Sequence, residues 1–360
     1  MGLSLKWDIT YKCNLMCDHC INGDYLSNSG DEVSYEEIVK IIDEISECIP
    51  IDYIHFLGGE PLTRKDFIDV LYYLESKNIK YGFNSNGLLF NKEVLQRIGH
   101  LKCFDSIVIS LEGPNAEVND KIRGKNVFNI LIDRMRAVNY YKERNPESTF
   151  KLCVNTVVTA MNYEYIPDII ALCEREDVAE LSLLEFIEDG NGKGKNLSLK
   201  PEQFLNVVRF VAENYTYKKG KMKIIPKFAR PLAKNYANAC LNLEFPDIAH
   251  GCGAGATSLF LDNHGFVYPC DRERKFNDHK YKMEGNDFWK MWNSEDFARP
   301  FSIYFGDEIY KNIIPCNQCE YLCESCFPCY LGVREDVESE MQMCRIMKEK
   351  IAASTNERGE

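Results

Sequence analysis

The stretch Tyr11–Cys20 reads YKCNLMCDHC and directly follows an extended run at Leu3–Thr10. Its three cysteines, Cys13, Cys17 and Cys20, have a CxxxCxxC spacing. This spacing is too short to place the three sulfurs on three different elements, so one loop must wrap whatever they bind. Soft thiolates gathered in this way favour zinc or an iron–sulfur cluster.

The loop lacks an obvious fourth ligand, because no further cysteine follows until Cys48. A structural zinc site wants four closed ligands, and His19 would have to be the fourth. A cluster held by three thiolates instead leaves one iron open to bind and activate a ligand. At this point a zinc loop and an open cluster are both alternatives.

With the ring residue His19 before its last cysteine, the motif resembles the signature of the radical S-adenosylmethionine (radical SAM) enzymes. In that family three cysteines hold a 4Fe-4S cluster, and its open iron binds the amino and carboxylate groups of S-adenosylmethionine. Reductive cleavage then gives a 5′-deoxyadenosyl radical, which removes a hydrogen from the substrate. The resemblance implies that Cys13, Cys17 and Cys20 hold this cluster and that His19 lies beside the cofactor.

Composition and charge narrow the class of protein. The 360 residues are 45% hydrophobic and 27% charged, which is ordinary for a globular protein. The net charge of −12 argues against non-specific binding to nucleic acid or to an anionic membrane. No nucleic-acid or membrane partner is therefore predicted.

Sixteen cysteines are many for this length. The N-terminal MGLSLKWDIT lacks a signal-peptide pattern, and no stretch is long enough to span a bilayer. We therefore predict a cytoplasmic protein whose clustered cysteines bind metal rather than form disulfides. The scattered cysteines are predicted to be small buried hydrophobes, and these are Cys48, Cys103, Cys153, Cys173 and Cys240.

From Leu3 to about Tyr215, short β-rich runs alternate with amphipathic helical runs. Ser34 is predicted to cap the first helix, with Glu37 three residues later as in a capping box. Alternation of this kind implies right-handed βαβ units and a parallel sheet. Six units are counted, so the prediction is an α/β fold with a partial (β/α)6 TIM-like barrel. The strands after the first are predicted at Tyr53–Leu57, Ile79–Phe83, Ser106–Leu111, Phe150–Val158 and Ala179–Phe186.

Polar turns follow the second, third and fourth predicted strands, at the edge where parallel sheets collect their chemistry. Gly58-Gly59-Glu60-Pro61 resembles the family's GGE motif, which binds the amino group of S-adenosylmethionine. Asn84-Ser85-Asn86-Gly87 resembles its T-N-G turn, and Ser110-Leu111-Glu112-Gly113 resembles its ribose-contacting S-x-D-G. The implied cofactor contacts are His19, Gly58, Gly59, Glu60, Pro61, Asn84, Asn86, Ser110 and Arg123.

Arg123 and Glu112 differ in how well they fit the family pattern. Arg123 stands where many members place an arginine near the cofactor carboxylate. Glu112 departs from the family's Asp by one methylene, which puts the role of that carboxylate in doubt but not the role of Ser110.

From about Cys240 the alternation stops, and Gly, Pro, aromatic residues and Cys dominate. Packing alone is not expected to order such a region, and bound metal would supply the missing constraint. The spacing resembles the seven-cysteine SPASM extension of radical enzymes that modify peptides and proteins. Its opening, Cys, a stretch and G-x4-C, matches Cys252, Gly265 and Cys270. The predicted metal ligands here are Cys252, Cys270, Cys316, Cys319, Cys323, Cys326, Cys329 and Cys344.

The closing half of the extension departs from its family. After Cys319 the gaps are three, two and two residues, where the family has five and three. One of Cys323, Cys326 and Cys329 is therefore extra, and the sequence does not identify it. Eight thiolates suffice for two auxiliary 4Fe-4S clusters, which is the prediction. A single auxiliary cluster and a zinc ribbon are the alternatives.

The predicted domains follow these changes in pattern. A radical SAM barrel covers 1–215, a bridging segment 216–239 and a SPASM-type auxiliary domain 240–353. A closing helix is predicted at Glu335–Ala353, followed by a tail at 354–360.

The resemblance implies an enzyme that modifies a peptide or protein, most of all a ribosomally made peptide. The alternatives are an anaerobic sulfatase maturase that makes formylglycine, a small-molecule dehydrogenase or epimerase, and a non-catalytic metal-binding protein. The expected partners are the substrate and a reducing electron donor of the flavodoxin or ferredoxin type. Twelve residues precede Cys13, so leader recognition is expected from a separate protein or from the barrel itself.

Asp271 is the candidate catalytic residue. It follows Cys270 in Y-P-C-D, where anaerobic sulfatase maturases have their proposed proton acceptor. Oxidising a product radical usually releases a proton, so a nearby base is expected. The alternative is an ion pair or a turn-capping role beside Arg272 and Arg274.

Overall fold

The computed structural model describes residues 2–26, 30–217, 222–228, 231–247, 253–276, 280–283, 288–294, 297, 310–322, 326 and 329–358. Cys252 and Cys323, two of the predicted metal ligands, lie outside these residues. No helix in the described ranges is both long enough and apolar enough to cross a membrane.

One twisted sheet organises the described residues. Its strands are β1 Leu3–Thr10, β2 Ile51–Gly58, β3 Lys80–Ser85, β4 Phe104–Ser110, β5 Lys151–Val158, β6 Glu180–Glu185, β7 Lys223–Pro226, β8 Ser258–Leu261, β9 Phe266–Tyr268 and β10 Tyr281–Lys282. The order is β10-β9-β8-β1-β2-β3-β4-β5-β6-β7. All pairings from β8 through β1 to β7 are parallel, whereas β8–β9 and β9–β10 are antiparallel.

Helices connect and cover these strands. They are α1 Tyr35–Cys48, α2 Phe67–Ser76, α3 Lys92–Ile98, α4 Ala116–Arg123, α5 Val127–Arg144, α6 Ile166–Arg175, α7 Pro201–Tyr217, α8 Pro231–Tyr236, α9 Phe288–Trp292 and α10 Tyr330–Arg358. The predicted capping box at the start of α1 is confirmed, because Ser34 and Glu37 bond each other's backbone N–H groups. The apolar face of α1 is buried, as its helical period predicts.

The two faces of β1 explain how the barrel is built. Leu5, Trp7 and Ile9 are fully buried on the face turned to the helices. Side chains alternate along a strand, so Lys6 and Asp8 face the other way, into the barrel. Polar side chains also join strands inside the barrel, His55 on β2 with Asn84 on β3 and Tyr53 on β2 with Ser106 on β4.

The predicted α/β fold with six βα units is confirmed, and β7 continues the sheet beyond them. The strand bounds differ from the prediction by at most two residues, and α4 was not predicted. The closing helix is longer than predicted at both ends, Tyr330–Arg358 instead of Glu335–Ala353, and covers most of the predicted tail.

The described strands of the C-terminal part belong to the same sheet as the barrel strands. Strand β8 pairs with β1 in parallel, with Leu259 opposite Leu5, and β9 folds back on β8. Trp7 on β1 donates from Nε1 to the carbonyl of Asp262 at 3.1 Å. The cysteine-rich region is thus continuous with the strand that leads into the Cys13–Cys20 loop.

Three of the five scattered cysteines are buried, as predicted for small hydrophobes: Cys103, Cys153 and Cys173. Cys48 and Cys240 are only partly buried but pack against the main core.

Candidate active site

A cavity of about 300 Å³ lies at the C-terminal ends of the barrel strands. It collects most of the side chains that the sequence predicts for the cluster and the cofactor. These are Cys13, Cys17, His19, Cys20, Gly58, Gly59, Asn84, Asn86, Ser110 and Arg123. Residues at or after the ends of four strands, β1 to β4, thus meet at one place, as the parallel sheet requires.

The cysteine loop is held by its backbone. Asp18 N–H donates to the carbonyl of Ile122 at 2.9 Å. From the other side, Asn191 N–H donates to the carbonyl of Cys20 at 2.9 Å, and its side-chain amide donates to that of Cys17 at 3.1 Å. The chain segments after β4 and β6 therefore hold the loop chiefly through backbone and amide groups, and Cys17 Sγ adds a longer contact to the Arg123 carbonyl at 3.9 Å.

The three sulfurs suit a metal cluster. Each is half-buried, and burial raises the pKa of Cys13, Cys17 and Cys20, the last to about 11. A bound metal keeps such sulfurs as thiolates. Asn86 also places its side-chain amide 3.8 Å from the Cys13 sulfur and 2.7 Å from the Asn14 side-chain oxygen.

Gly58 and Gly59 bring the backbone close to this loop. Gly58 has φ +118°, and Gly59 N–H donates to the Thr10 carbonyl at 2.7 Å. A Cβ at Gly59 would lie 2.2 Å from the Lys12 carbonyl oxygen. Both positions therefore require glycine, which is a physical reason for the sequence motif.

Glu60 and Pro61 do not contribute to the described lining of the cavity. The fully buried Glu60 carboxylate accepts from Asn86 N–H at 2.7 Å and from the Ser85 hydroxyl at 3.0 Å. Burial raises the pKa of Glu60 to about 7 despite these bonds. Pro61 is buried at the start of a short 3-10 turn. The Glu60 side chain thus fixes the turn after β3, and its contact with the cofactor stays a prediction.

Asn84 is oriented from below by the barrel interior. Its side-chain oxygen accepts from His55 Nε2 at 2.8 Å, and His55 Nδ1 lies 3.3 Å from the Tyr53 hydroxyl. Burial lowers the pKa of His55 to about 4, so the ring is neutral. Because the Asn84 oxygen is used by His55, its amide donors are left for the cavity.

Glu112, whose role the sequence left in doubt, is an anchor for the cavity wall. Its carboxylate accepts from Arg123 Nη1 at 3.1 Å and lies 3.2 Å from His19 Nε2. Its other oxygen accepts from Val157 N–H at 2.8 Å. Burial alone would raise the pKa of Glu112, but His19 and Arg123 outweigh it and lower this pKa. Spacing alone could not reveal this cluster, because the three side chains come from separate segments.

This arrangement bears on the zinc alternative. The Nε2 atom of His19 is engaged with Glu112, and its Nδ1 is buried without a protein partner in the described residues. Over the same residues, no three His, Cys, Asp or Glu side chains converge as one metal ion would require. A four-iron cluster spreads its thiolates over a larger body than one zinc ion does. The donor set of the loop therefore fits a cluster held by Cys13, Cys17 and Cys20.

The C-terminal cysteines that the structure describes separate into two groups. Cys316, Cys319, Cys326 and Cys344 line one small apolar pocket together with Met341. Cys270 and Cys329 are close enough to interact electrostatically, and Arg272 Nη1 lies 3.2 Å from the Cys329 sulfur. Cys326 and Cys329 thus belong to different groups although two residues separate them.

Asp271 begins a short 3-10 turn, Asp271–Lys275, directly after Cys270. It is partly buried and is not among the described residues that line the cavity. The buried arginine of this turn, Arg274, pairs with Asp8 on β1 at 2.6 Å. The sequence did not point to Asp8, and the contact joins positions 266 residues apart.

Comparison with known proteins agrees with this geometry. Residues 7–173 match the family described as the radical SAM superfamily. The mycofactocin maturase MftC of Mycobacterium ulcerans is 30% identical over 274 residues, covering 74% of this chain and 68% of that protein. An AdoMet-dependent heme synthase of Oleidesulfovibrio alaskensis is 25% identical over 338 residues, covering 89% of this chain and 81% of that protein.

Among solved structures, Streptococcus suis SuiB bound to S-adenosylmethionine matches with a TM-score of 0.70 and 20% identity. The match covers 93% of this chain and 75% of SuiB. SuiB has also been solved bound to the precursor peptide SuiA. The shared fold therefore extends past residue 173 into the cysteine-rich C-terminal part.

Proposed function

Because this chain belongs to the radical SAM superfamily, we propose that its substrate is a peptide or protein, most of all a ribosomally made peptide. The observation that carries the proposal is the convergence of three thiols and the predicted cofactor contacts on one cavity. The choice of a peptide is supported by the maturase MftC and by the complex of SuiB with SuiA.

The residues of the cavity have distinct tasks in this proposal. Cys13, Cys17 and Cys20 hold the 4Fe-4S cluster, and S-adenosylmethionine occupies the remaining space. When bound, the two cofactors supply one-electron chemistry that removes a hydrogen atom from the substrate. The Arg123 Nε atom is buried without a partner in the described residues, so it has a donor to offer a cofactor carboxylate. Gly58 and Gly59 let the backbone approach the amino group.

Glu112 and His55 orient residues that line the cavity. Glu112 holds His19 and Arg123 in place, while His55 fixes the Asn84 amide with its donors toward the cavity. Ser110 and Asn86 are proposed to complete the cofactor contacts. Asp271 is proposed to take the proton that is lost when the product radical is oxidised.

We further propose two auxiliary 4Fe-4S clusters in the segment 240–353. Cys316, Cys319, Cys326 and Cys344 would hold one, and their shared pocket supports this set. Cys270 and Cys329 would belong to the other, together with Cys252. On this assignment Cys323 is the cysteine that the seven-cysteine pattern does not need.

Metal analysis tests this assignment. Three four-iron clusters correspond to about twelve irons per chain after anaerobic reconstitution. The Cys13→Ala/Cys17→Ala/Cys20→Ala variant should retain about eight, and Cys323→Ala should retain the parental number. Zinc in place of iron, or loss of about four irons from Cys323→Ala, would contradict the two proposed ligand sets.

Substrate class is tested with the reconstituted protein, S-adenosylmethionine, a reductant and a peptide encoded beside its gene. We expect 5′-deoxyadenosine together with a change in peptide mass, both measured by mass spectrometry. Conversion of a sulfatase peptide to formylglycine would favour the maturase alternative, and turnover of a porphyrin without any peptide change would favour a small-molecule substrate. A flavodoxin or ferredoxin as electron donor, a separate leader-binding protein and a cytoplasmic location belong to the same proposal.

A further inference from the structure

Arg274 connects the two cysteine-bearing regions of the molecule. It lies four residues after Cys270, yet its guanidinium is buried against the loop that follows Cys20. Nη1 donates to the Asp8 carboxylate and to the Tyr11 hydroxyl, both at 2.6 Å. Nη2 donates to the Asn22 side-chain oxygen at 2.8 Å.

Aromatic rings surround the same guanidinium. Its carbon lies 4.0 Å from the centre of the Tyr25 ring and 5.2 Å from that of Phe260 on β8. Burial would lower the pKa of Arg274, but Asp8 and the two tyrosines outweigh it and raise this pKa. The positive charge of Arg274 is therefore fixed in a site built from β1, β8 and the residues on either side of the cysteine loop.

Asn22 links Arg274 to the backbone of Gly58, which lines the cavity. An amide has one acceptor oxygen and one donor nitrogen. Since the oxygen of Asn22 accepts from Arg274, its nitrogen is directed to the Gly58 carbonyl, to which it donates at 3.0 Å, with the Asp8 carboxylate as a second acceptor at 3.4 Å. Gly58 lines the cavity, so Arg274 is linked by two hydrogen bonds to the proposed S-adenosylmethionine site.

From this geometry we propose that Arg274 is a positioning residue that couples the Cys270 loop to the cofactor site. The Cys270 loop is the segment that runs from Cys270 into the turn Asp271–Lys275. When this loop is ordered, the turn is held in place, and Arg274 in turn fixes the positions of Asn22 and Gly58. Binding of S-adenosylmethionine then depends on a residue that does not touch it. This inference rests on the proposed function only in identifying the ligand of the cavity.

The test measures the dissociation constant for S-adenosylmethionine by equilibrium dialysis of the anaerobically reconstituted chain. Arg274→Met should raise it roughly tenfold, the scale of a lost charge-assisted hydrogen bond. Asn22→Leu has a similar size but removes both the acceptor for Arg274 and the donor to Gly58, and it should weaken binding similarly. Arg136→Met is the matched control, because Arg136 forms an ion pair with Glu176 outside the cavity lining.

The double variant Arg274→Met/Asn22→Leu decides whether the two residues act in one chain of contacts. If they do, it should bind no more weakly than either single variant. Effects that multiply, or an Arg274→Met variant that binds as the parent does, would overturn the proposal. Cys270→Ala combined with Arg274→Met should likewise add nothing to Cys270→Ala alone.

A second measurement needs no S-adenosylmethionine. Hydrogen–deuterium exchange of the anaerobically reconstituted chain should be faster in Arg274→Met over segments 11–26 and 56–62, and unchanged there in Arg136→Met. Unchanged exchange in both segments would also overturn the coupling. If the parent binds no S-adenosylmethionine at all, the proposed function fails, whereas this exchange result still tests the link.

Discussion

The N-terminal and C-terminal cysteine regions achieve order by different means. The loop Cys13–Cys20 is anchored by backbone hydrogen bonds to Ile122 and Asn191 and lies at the end of a strand in the main core. The C-terminal pocket instead lies between the edge of the main core, at Leu232 and Cys344, and a small apolar cluster of Tyr310, Cys316 and Met341. Where few apolar groups are buried, the entropy of ordering the chain must be offset by something else, and bound metal is the available source. We therefore propose that the fold alone forms the first site, whereas the second region reaches its final structure only when metal is bound.

The strongest test of this contrast removes the first set of thiolates. The variant Cys13→Ala/Cys17→Ala/Cys20→Ala should fold as the parent does, because backbone atoms rather than sulfurs anchor the loop. It should nevertheless form no 5′-deoxyadenosine from S-adenosylmethionine under reducing, anaerobic conditions. Circular dichroism and chromatography of the nucleoside products measure the two effects. Cys48→Ala is the control, and cleavage by the triple variant at the parental rate would sink the assignment.

The next test asks whether the C-terminal region also contributes chemistry. Asp271→Asn keeps the size of the side chain and removes the proposed base. Product formation should fall by roughly 10²-fold while 5′-deoxyadenosine formation is largely kept, on the scale of a lost general base. Asp271→Glu should restore part of the coupling. If product and 5′-deoxyadenosine stay coupled in Asp271→Asn as in the parent, the role of Asp271 is structural.

A third test concerns the stability of the barrel itself. Burial lowers the pKa of His55 from 6.5 to about 4, so between these values the unfolded chain binds a proton that the folded chain does not. The contribution is complete above pH 6.5 and is lost as the pH falls toward 4. Between pH 7.5 and 5 the parent should lose about 2 kcal/mol of unfolding free energy from this group.

The variant His55→Gln keeps a donor for Asn84 but does not titrate, so denaturant unfolding at the two pH values should show a smaller difference than in the parent. Equal pH dependence of the two proteins would show that another group causes the acid sensitivity.

The smallest expected effect lies in the C-terminal region. Tyr321 shares a short hydrogen bond with Asn235 at the end of α8. If metal rather than such contacts orders this segment, Tyr321→Phe should cost at most about 1 kcal/mol of unfolding free energy in the metal-loaded protein. Thermal unfolding of protein with verified metal content measures the loss. A much larger loss would mean that side-chain contacts, rather than bound metal, supply most of the stability of this segment.

Much of the fold and of the candidate site could be predicted from the sequence. Local patterns sufficed for the six βα units, the capping box at Ser34 and the cavity residues on successive strand ends, because each depends on neighbours along the chain. The glycines of the turn after β2 were identified by motif, and the structure supplies the reason, which is the Lys12 carbonyl beside Gly59.

The missing parts depend on contacts between distant segments. Glu112 could not be assigned by spacing, since its partners His19 and Arg123 meet it only in the folded barrel. The division of the C-terminal cysteines is of the same kind, because Cys344 reaches its pocket on α10 after a long interval of chain. The pairing of β8 with β1 was also missed, since a four-residue strand in a Gly- and Cys-rich region has little local signature.

That pairing has a consequence for biosynthesis. Strand β1 leaves the ribosome well before β8, its neighbour on one side, which follows about 250 residues later. At about 5–20 residues per second this interval is roughly 12–50 s. During it, one edge of β1 has no strand to pair with, and such an edge is a template for pairing with another chain. We infer that the nascent protein passes through a period in which chaperones matter most, and that it ends when the cysteine-rich half arrives.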